Sequence, residues 1–361
     1  MEYNSKIFVA GHSGLVGSAI TSELKARGYN NLLLRSRAEL DLLDQQSVKD
    51  FFEREQPEYV FLAAARVGGI LANNTFRADF ISENLRIQNH VIHYSWASGV
   101  KKLLFLGSSC IYPRECPQPM KEEHLLTGPL EYTNEPYAIA KIAGMKMCES
   151  YNLQYGTDFI SVMPTNLYGP NDNYNLLGSH VLPALIRKMH LARLVEEKNF
   201  DAIRNDFIKR PVEGVDPQTG DEPLLNKLSE FGIVHENGKG QVQLWGTGKP
   251  RREFLHSADL ARACVFLMNE VSFQDIVRAR GLEEVRNTHI NIGVGEDISI
   301  AELARLVQEV IGFEGELSWD ASKPDGTYRK LLDVSRLNDL GFKASVPLKK
   351  GIEEVYNEYG K

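Results

Sequence analysis

An apolar run, Ile7–Ala10, passes straight into Gly11-His12-Ser13-Gly14-Leu15-Val16-Gly17 and from there into an amphipathic stretch. Nothing else in the chain narrows its fold so far. A buried strand that turns on glycine into a helix leaves the first helical N–H groups without partners, aimed at whatever lies over the turn. Gly11 permits the sharp turn, Gly14 lets a phosphate come close to the backbone, and Gly17 lets helix and strand pack tightly. Three glycines alone recur in many loops. Set between the first strand and the first helix, they indicate a site for a dinucleotide diphosphate.

The rest of the first half fits a domain built around such a turn. Apolar runs over 32–35, 59–63, 103–107 and 159–163 alternate with helical periodicity over 15–27, 46–55, 84–98 and 137–155. Alternation at this spacing predicts a parallel, doubly wound sheet. Beyond Pro170 a loop rich in Asn, Asp and Tyr leads to a helix over 181–194. A strand–helix pair over 253–268 and a strand over 290–292 follow later. The expected fold class is therefore α/β: a Rossmann-type doubly wound parallel sheet with a smaller, mostly α, C-terminal substrate domain. Residues 1–170 plus 252–295 are assigned to the dinucleotide domain and 171–251 plus 296–361 to the substrate domain. Between them in sequence, 195–240 is a polar stretch whose portion from Pro211 to Asp221 reads as turns and loop.

Composition excludes several partners. The chain is 361 residues long, 43% hydrophobic and 25% charged, which is ordinary soluble globular usage. Its 41 basic and 48 acidic residues leave a net charge of -7, which argues against nucleic acid or an anionic membrane as partner. The N-terminal apolar run is too short for a signal peptide, and no apolar stretch is long enough to span a membrane. Cys110, Cys116, Cys148 and Cys264 show neither Cys-x-x-Cys spacing nor a metal-finger pattern. No metal site is expected, and the thiols read as reduced, in a cytoplasmic protein.

Which dinucleotide is bound is decided after the second strand. Here the chain reads Leu34-Arg35-Ser36-Arg37, with no acid before Glu39. A carboxylate would bond the ribose hydroxyls of NAD but repel a 2′-phosphate, which a guanidinium grips bidentately. Arg37 therefore predicts NADP(H).

The chemistry is carried by two segments. The strand over 103–107 runs into Ser108-Ser109-Cys110-Ile111-Tyr112, and Tyr137-Ala138-Ile139-Ala140-Lys141 follows about thirty residues later. Tyrosine and lysine at i and i+4 share a helix face. Reducing a ketone requires a proton for its oxygen as hydride reaches carbon, and a free phenol, pKa ~10, is a poor partner at neutral pH. An ammonium beside it would lower that pKa, so Lys141 is expected to activate Tyr137, with Ser108 polarising the carbonyl.

At this point the chain resembles the GDP-L-fucose synthase family, extended short-chain dehydrogenase/reductases also called GDP-4-keto-6-deoxymannose epimerase/reductases. The resemblance is carried by residues 11–20, by Ala-Ala-Ala-Arg-Val-Gly-Gly-Ile-Leu-Ala-Asn-Asn (63–74) and by Leu-Gly-Ser-Ser-Cys-Ile-Tyr-Pro (106–113). Asn-Glu-Pro-Tyr-Ala-Ile-Ala-Lys-Ile-Ala-Gly (134–144), Met-Pro-Thr-Asn-Leu-Tyr-Gly-Pro (163–170), Trp-Gly-Thr-Gly (245–248), Arg-Glu-Phe-Leu-His (252–256) and residues 320–327 extend it over nearly the whole chain. It implies that GDP-4-keto-6-deoxy-D-mannose is inverted at carbons 3 and 5 and then reduced at carbon 4 by NADPH to GDP-L-fucose. Both inverted carbons flank the ketone, so one carbonyl-polarising pair serves both enolates.

The same resemblance assigns the acid and base of the inversion to Cys110 and His180, whose side-chain types have reference pKa values of ~8.5 and ~6.5. Apart from it, Cys110 reads as a core thiol and His180 as a helix-start residue. It places the cofactor on Gly11, His12, Ser13, Gly14, Leu15, Val16, Gly17, Arg37, Leu42, Leu106, Gly107, Ser109, Lys141, Pro164, Thr165, Asn166, Leu167 and His180. It places the substrate on Asn166, Lys188, Trp245, Arg252 and Asp325. Lys188 and Arg252 would meet the diphosphate of the GDP-linked 4-keto-6-deoxy sugar, and relatives suggest a homodimer.

Two departures stand out. Many relatives carry Arg where this chain has Ser13, and they pass more directly from the His180 helix to the Trp-Gly strand. The extra segment within 194–241 is expected to be a surface excursion, acting as a lid or an oligomer contact. Rival readings on the same scaffold fit less well. A nucleotide-sugar 4,6-dehydratase would carry Asp-Glu where Cys110-Ile111 stands, and a 4-epimerase would prefer an acid after the second strand. A non-catalytic NADP(H)-binding regulatory protein would have lost Tyr137 or Lys141.

Overall fold

The computed structural model describes residues 1–236, 239–280, 284–323 and 325–360. In chain order the elements begin with β1 (Ile7–Ala10), α1 (Leu15–Ala26), β2 (Leu32–Leu33), α2 (Gln45–Glu55), β3 (Tyr59–Leu62), α3 (Ile70–Thr75) and α4 (Arg77–Ala97). Next come β4 (Lys102–Leu106), α5 (Glu135–Tyr155), β5 (Phe159–Pro164), β6 (Asn166–Tyr168), α6 (Val181–Glu196), α7 (Phe200–Lys209) and α8 (Asp221–Glu230). Then follow β7 (Ile233–Glu236), β8 (Lys239–Trp245), β9 (Arg251–Arg252), β10 (Phe254–His256), α9 (Ser257–Glu270) and α10 (Phe273–Arg280). The last are β11 (Ile290–Ile292), β12 (Ile298–Ser299), α11 (Ile300–Ile311), β13 (Glu316–Asp320), β14 (Arg329–Lys330), α12 (Ser335–Asp339) and α13 (Leu348–Tyr359).

The chain divides into two compact units. The first gathers 1–171, 253–296 and 330–346. Its centre is a six-stranded sheet in the order β11-β5-β4-β3-β1-β2, with every recorded pairing parallel. Parallel strands need long crossovers, and the amphipathic helices that supply them cover both faces. On one face Phe8, Val60 and Leu103 pack with Val48, Phe51 and Phe52 of α2, Val91 and Ile92 of α4, and Ile142 and Met145 of α5. On the other, Val9, Phe61 and Leu104 pack with Ile20 and Leu24 of α1 and with Leu260, Val265 and Leu267 of α9. The expected fold class holds. β1 runs on to α1 on one face and its neighbour β3 to α4 on the other, so their crossovers diverge and open a crevice at the carboxyl ends of the two strands.

The second unit gathers 172–252, 297–329 and 347–361. Here β8 pairs with β13 in parallel and with β7 antiparallel, while β9 pairs antiparallel with β12. Two helices, α7 and α8, occupy the stretch read from sequence as polar, on either side of the portion read as turns and loop. Their buried apolar residues, Ile203, Phe207, Leu224 and Leu228, are few but stand four apart, one pair on each helix. Residues 211–220 form turns, as expected for 211–221. The extra segment is therefore a packed part of this unit, not an excursion. Two boundaries in the first unit also differ: β2 is only two residues long, and α4 begins at Arg77. Over its first two turns Phe80 is the one buried residue, so the stretch carries no periodic apolar stripe.

Among the described residues no helix is long and apolar enough to cross a membrane. None of their His, Cys, Asp or Glu side chains group to hold a metal ion.

Candidate active site

Strands that run parallel end on the same edge of their sheet, so the first unit gathers three segments there without further device. They are the glycine turn after β1, Leu106 to Cys110 after β4, and Pro164 to Leu167 from the end of β5. The turn is closed from below and open above. Gly11 has φ +84°, and a Cβ there would lie 2.7 Å from the Ala64 nitrogen; a Cβ on Gly17 would lie 2.1 Å from the Gly11 oxygen. On Gly14 it would meet nothing nearer than 3.7 Å. No side chain caps α1. The buried Nδ1 of His12 has no hydrogen-bond partner. A phosphate over Gly14 would meet orphan N–H groups at the positive end of a helix, and the turn fits such a group.

After β2, Arg35 is committed. It pairs with Glu55 at 3.2 Å and lies over the Phe51 ring. Arg37 is the available guanidinium, with its side chain 75% exposed and only a long 3.9 Å contact to Asp41. Glu39 folds back onto Ser36, accepting from its N–H and its hydroxyl at 2.7 Å each, which holds the carboxyl below its ordinary pKa. Leu42 packs partly buried against the core, and its carbonyl meets His90 Nδ1 at 2.9 Å. Thr165 and Asn166 both donate to the Glu253 carbonyl, at 3.4 and 2.9 Å.

The chemistry sits where β4 meets α5. Ser108 Oγ accepts from the Cys110 N–H at 3.2 Å and starts a single 3-10 turn, Ser109–Ile111. Lys141 is buried, donates to the Leu106 carbonyl at 2.8 Å and stands 5.7 Å from the Tyr137 ring centre. Burial pulls its pKa down to about 7, against the raising influence of Cys110. Burial likewise raises the Tyr137 phenol, Cys110 adds to that, and the Ser108 hydroxyl hydrogen-bonded to it pulls the other way. The sequence led us to expect a phenol lowered by its lysine. The shift runs upward, because desolvation acts on both groups and Lys141 is itself drawn towards neutrality. The phenol is thereby held in the protonated form.

Asn134 completes this corner and went unremarked at the sequence level. Its Nδ2 donates to Cys110 Sγ at 3.5 Å. The only signal available was an Asn at a helix start two residues before a proline.

The remaining candidates lie in the second unit. His180 is the N-cap of α6, with its pKa drawn below the ordinary value by desolvation, and Lys188, two turns along, is lowered for the same reason. Trp245 ends β8 with 68% exposure, and Lys323 lies over its ring at 5.6 Å. Asp325 accepts from Thr247 N–H at 2.9 Å and Thr247 Oγ1 at 2.6 Å, bonds that lower its pKa and pin the loop after Trp245. Arg252 is lowered by burial and raised by Asp325. Trp245, Arg252 and Asp325 thus form one neighbourhood, and His180 and Lys188 share one helix.

A dinucleotide turn, a Ser beside a strand end, and Tyr and Lys one helical turn apart define a class. The chain belongs to the NAD dependent epimerase/dehydratase family, whose sequence pattern matches residues 7–207 and 224–293. Within it the chain is 51% identical to GDP-L-fucose synthase 1 of Arabidopsis thaliana, over 99% of this chain and 93% of that one. Two solved structures from Campylobacter jejuni are also similar. A GDP-6-OMe-4-keto-L-xylo-heptose reductase is 47% identical with a TM-score of 0.92, covering 99% of this chain and 98% of its own. A GDP-D-glycero-L-gluco-heptose synthase, solved in the presence of NADPH, is 46% identical with a TM-score of 0.91 and covers all of both chains.

Proposed function

We propose that the protein converts GDP-4-keto-6-deoxy-D-mannose to GDP-L-fucose, by inversion at carbons 3 and 5 followed by reduction at carbon 4. The observation that carries this reading is the meeting of Ser108, Cys110 and Tyr137 at the end of β4, with Lys141 buried beside them. The identity with a named GDP-L-fucose synthase supports it.

NADPH, when bound, supplies the hydride. The residues suited to hold it are the Gly11–Gly17 turn for the diphosphate, Arg37 for the 2′-phosphate, and Leu106, Gly107, Ser109, Pro164, Thr165 and Leu167 along the neighbouring strand ends. Tyr137 and Ser108 hydrogen-bond the carbon 4 oxygen. The same two bonds stabilise the enolate formed on loss of a proton from carbon 3 or 5, and later the alkoxide formed on reduction. Tyr137 then gives its proton to the oxygen, as a phenol kept protonated by burial is ready to do. Cys110 and His180 exchange protons with the two inverted carbons. Lys188 and Arg252 neutralise the GDP diphosphate, Trp245 lies along the ligand, and Asn166 and Asp325 bond its hydroxyls. Two copies pair in solution. Four free thiols, one of them a proposed acid–base group, suit a reducing cytoplasm.

The test is to incubate the protein with GDP-4-keto-6-deoxymannose and NADPH and identify the sugar by NMR. GDP-L-fucose supports the reading, and a product still of the D-manno configuration at carbon 5 overturns it. A second reading is favoured by the heptose synthase that matches this chain end to end. In it the same chemistry acts on a GDP-4-keto sugar with a longer substituent at carbon 5. Competition between the two keto sugars for one preparation decides between them by kcat/KM.

A further inference from the structure

The residue best suited to cap α5 does not cap it. Asn134 is the N-cap, and Asn there ordinarily accepts from an N–H of the first turn. Its side chain makes no such bond. The backbone does the local work instead, with Asn134 N–H bonded to the Glu131 carbonyl at 3.2 Å and Ala138 N–H to the Asn134 carbonyl at 3.0 Å. The amide has turned to Cys110, donating Nδ2–H to Sγ at 3.5 Å. Its Oδ1 is buried and has no hydrogen-bond partner, so nothing else in the protein claims this side chain.

The loops on either side are fastened to each other. Arg114 N–H, just beyond Cys110, bonds to the Pro129 carbonyl at 2.9 Å, and Arg114 lies 3.7 Å from Glu131. Glu131 in turn accepts from Thr133 N–H and Oγ1, at 3.1 and 3.0 Å. Cys110 is thus held twice: its backbone through Ser108 and its sulfur through Asn134.

We propose that Asn134 is a positioning residue for Cys110, its amide fixing the sulfur beside Ser108 and Tyr137 and stabilising it whenever it has given up its proton. A donor hydrogen bond favours the charged form of its acceptor. Serine is too short to reach from this cap, and a carboxylate would repel the sulfur it must support. The inference rests on reading Cys110 as an acid–base group of the inversion, and the thiol itself provides a readout that does not.

Full-length wild type, Asn134→Ala and Asn134→Asp are compared after a thermal melt has confirmed folding. Iodoacetamide alkylation of Cys110 is followed by peptide mass across neutral and alkaline pH. The other thiols are buried: Cys116 is pushed up to about 11, Cys148 to about 12, and Cys264 further. Tyr137 and Lys141 are retained in all three proteins. The same samples are assayed for deuterium uptake at carbons 3 and 5. They are also assayed for oxidation of GDP-L-fucose by NADP+, which reads hydride transfer alone.

In Asn134→Ala, the alkylation rate at neutral pH and the ratio of exchange to hydride transfer each fall about tenfold, the scale of one hydrogen bond to a charged group. In Asn134→Asp, whose carboxylate is already ionised at neutral pH, both fall further than in Asn134→Ala. Wild-type alkylation in Asn134→Ala, or equal losses of exchange and hydride transfer, overturns the proposal. If wild type takes up no deuterium yet alkylation still slows in Asn134→Ala, the pairing stands and the epimerase reading fails.

Discussion

Tyr137 and Lys141 stand one helical turn apart, and burial pushes both towards neutrality, one pKa up and the other down. That separates two expectations. Tyr137→Phe removes the proton donor while leaving Ser108 and Cys110 in place. NADPH oxidation should fall by ~10²–10⁴ in a stopped-flow assay, with some deuterium exchange at carbons 3 and 5 surviving. Equal loss of both would show that the phenol serves the two steps alike. Lys141 makes a different prediction, about stability. Its folded pKa, about 7, lies below the unfolded value of ~10.4, so between those limits the unfolded chain holds a proton that the folded one lacks. Stability then rises with pH across that window, and the cost of burying the amine is fully felt below it. The melting temperature of Lys141→Met, relative to wild type, should therefore be most favourable at or below neutrality and decline steadily towards alkaline pH. The slope of that difference is the test, since the lost Leu106 bond shifts both ends equally. A pH-independent difference would mean that Lys141 is charged throughout.

Among the elements, α7 shows why part of the fold could not be read from sequence. Its anchor is Asp206, a residue that sequence assigns to the surface. Asp206 pairs with Arg187 of α6 at 2.8 Å, the two side chains only 3% and 1% exposed. Arg210 lies 3.2 Å from the same carboxylate, and Tyr359 of α13 donates to it. A polar residue buried by a partner nineteen positions away gives no periodic signal, so the segment read only as a polar stretch. By contrast, the glycine turn, the strand–helix alternation and the i, i+4 spacing of Tyr137 and Lys141 were legible, because each shows as a pattern within a few residues. Asn134 was not, because its role depends on the turn of one amide. The Asp206 network carries its own prediction. Asp206→Asn leaves a guanidinium buried without a counter-charge, which should cost about 3–5 kcal/mol by urea unfolding. Replacing both partners by apolar residues, Arg187→Met with Asp206→Leu, should recover most of that loss. If the double variant is no better than the single, the network acts through shape and not through charge.

At the scale of the whole molecule, each unit is assembled from three separate stretches, the chain passing between the units five times. The glycine turn and the Ser108–Tyr137–Lys141 set all lie within the first 171 residues, which makes that segment look self-sufficient. The core says otherwise. One face of the six-stranded sheet is covered by Leu260, Val265, Leu267 and Met268 of α9, with Leu255 beside them, and Ile290 and Ile292 supply the edge strand β11. All seven come from beyond residue 171 and all are essentially inaccessible to solvent. At about 1.5–3 kcal/mol for each buried aliphatic side chain, their loss is on the order of 10–20 kcal/mol, comparable to the whole stability of a domain. A chain stopped at 171 would also expose Leu104 and Ile160, on the part of this face that α1 does not cover, a condition that drives aggregation. We expect that fragment to be insoluble, or else to bind the dye ANS, lack near-UV circular dichroism and show no melting shift with NADPH. A monomeric fragment that melts cooperatively and is stabilised by NADPH would mean that the α9 face contributes far less than its burial implies. It would also mean that the cofactor turn needs only its own half of the sheet.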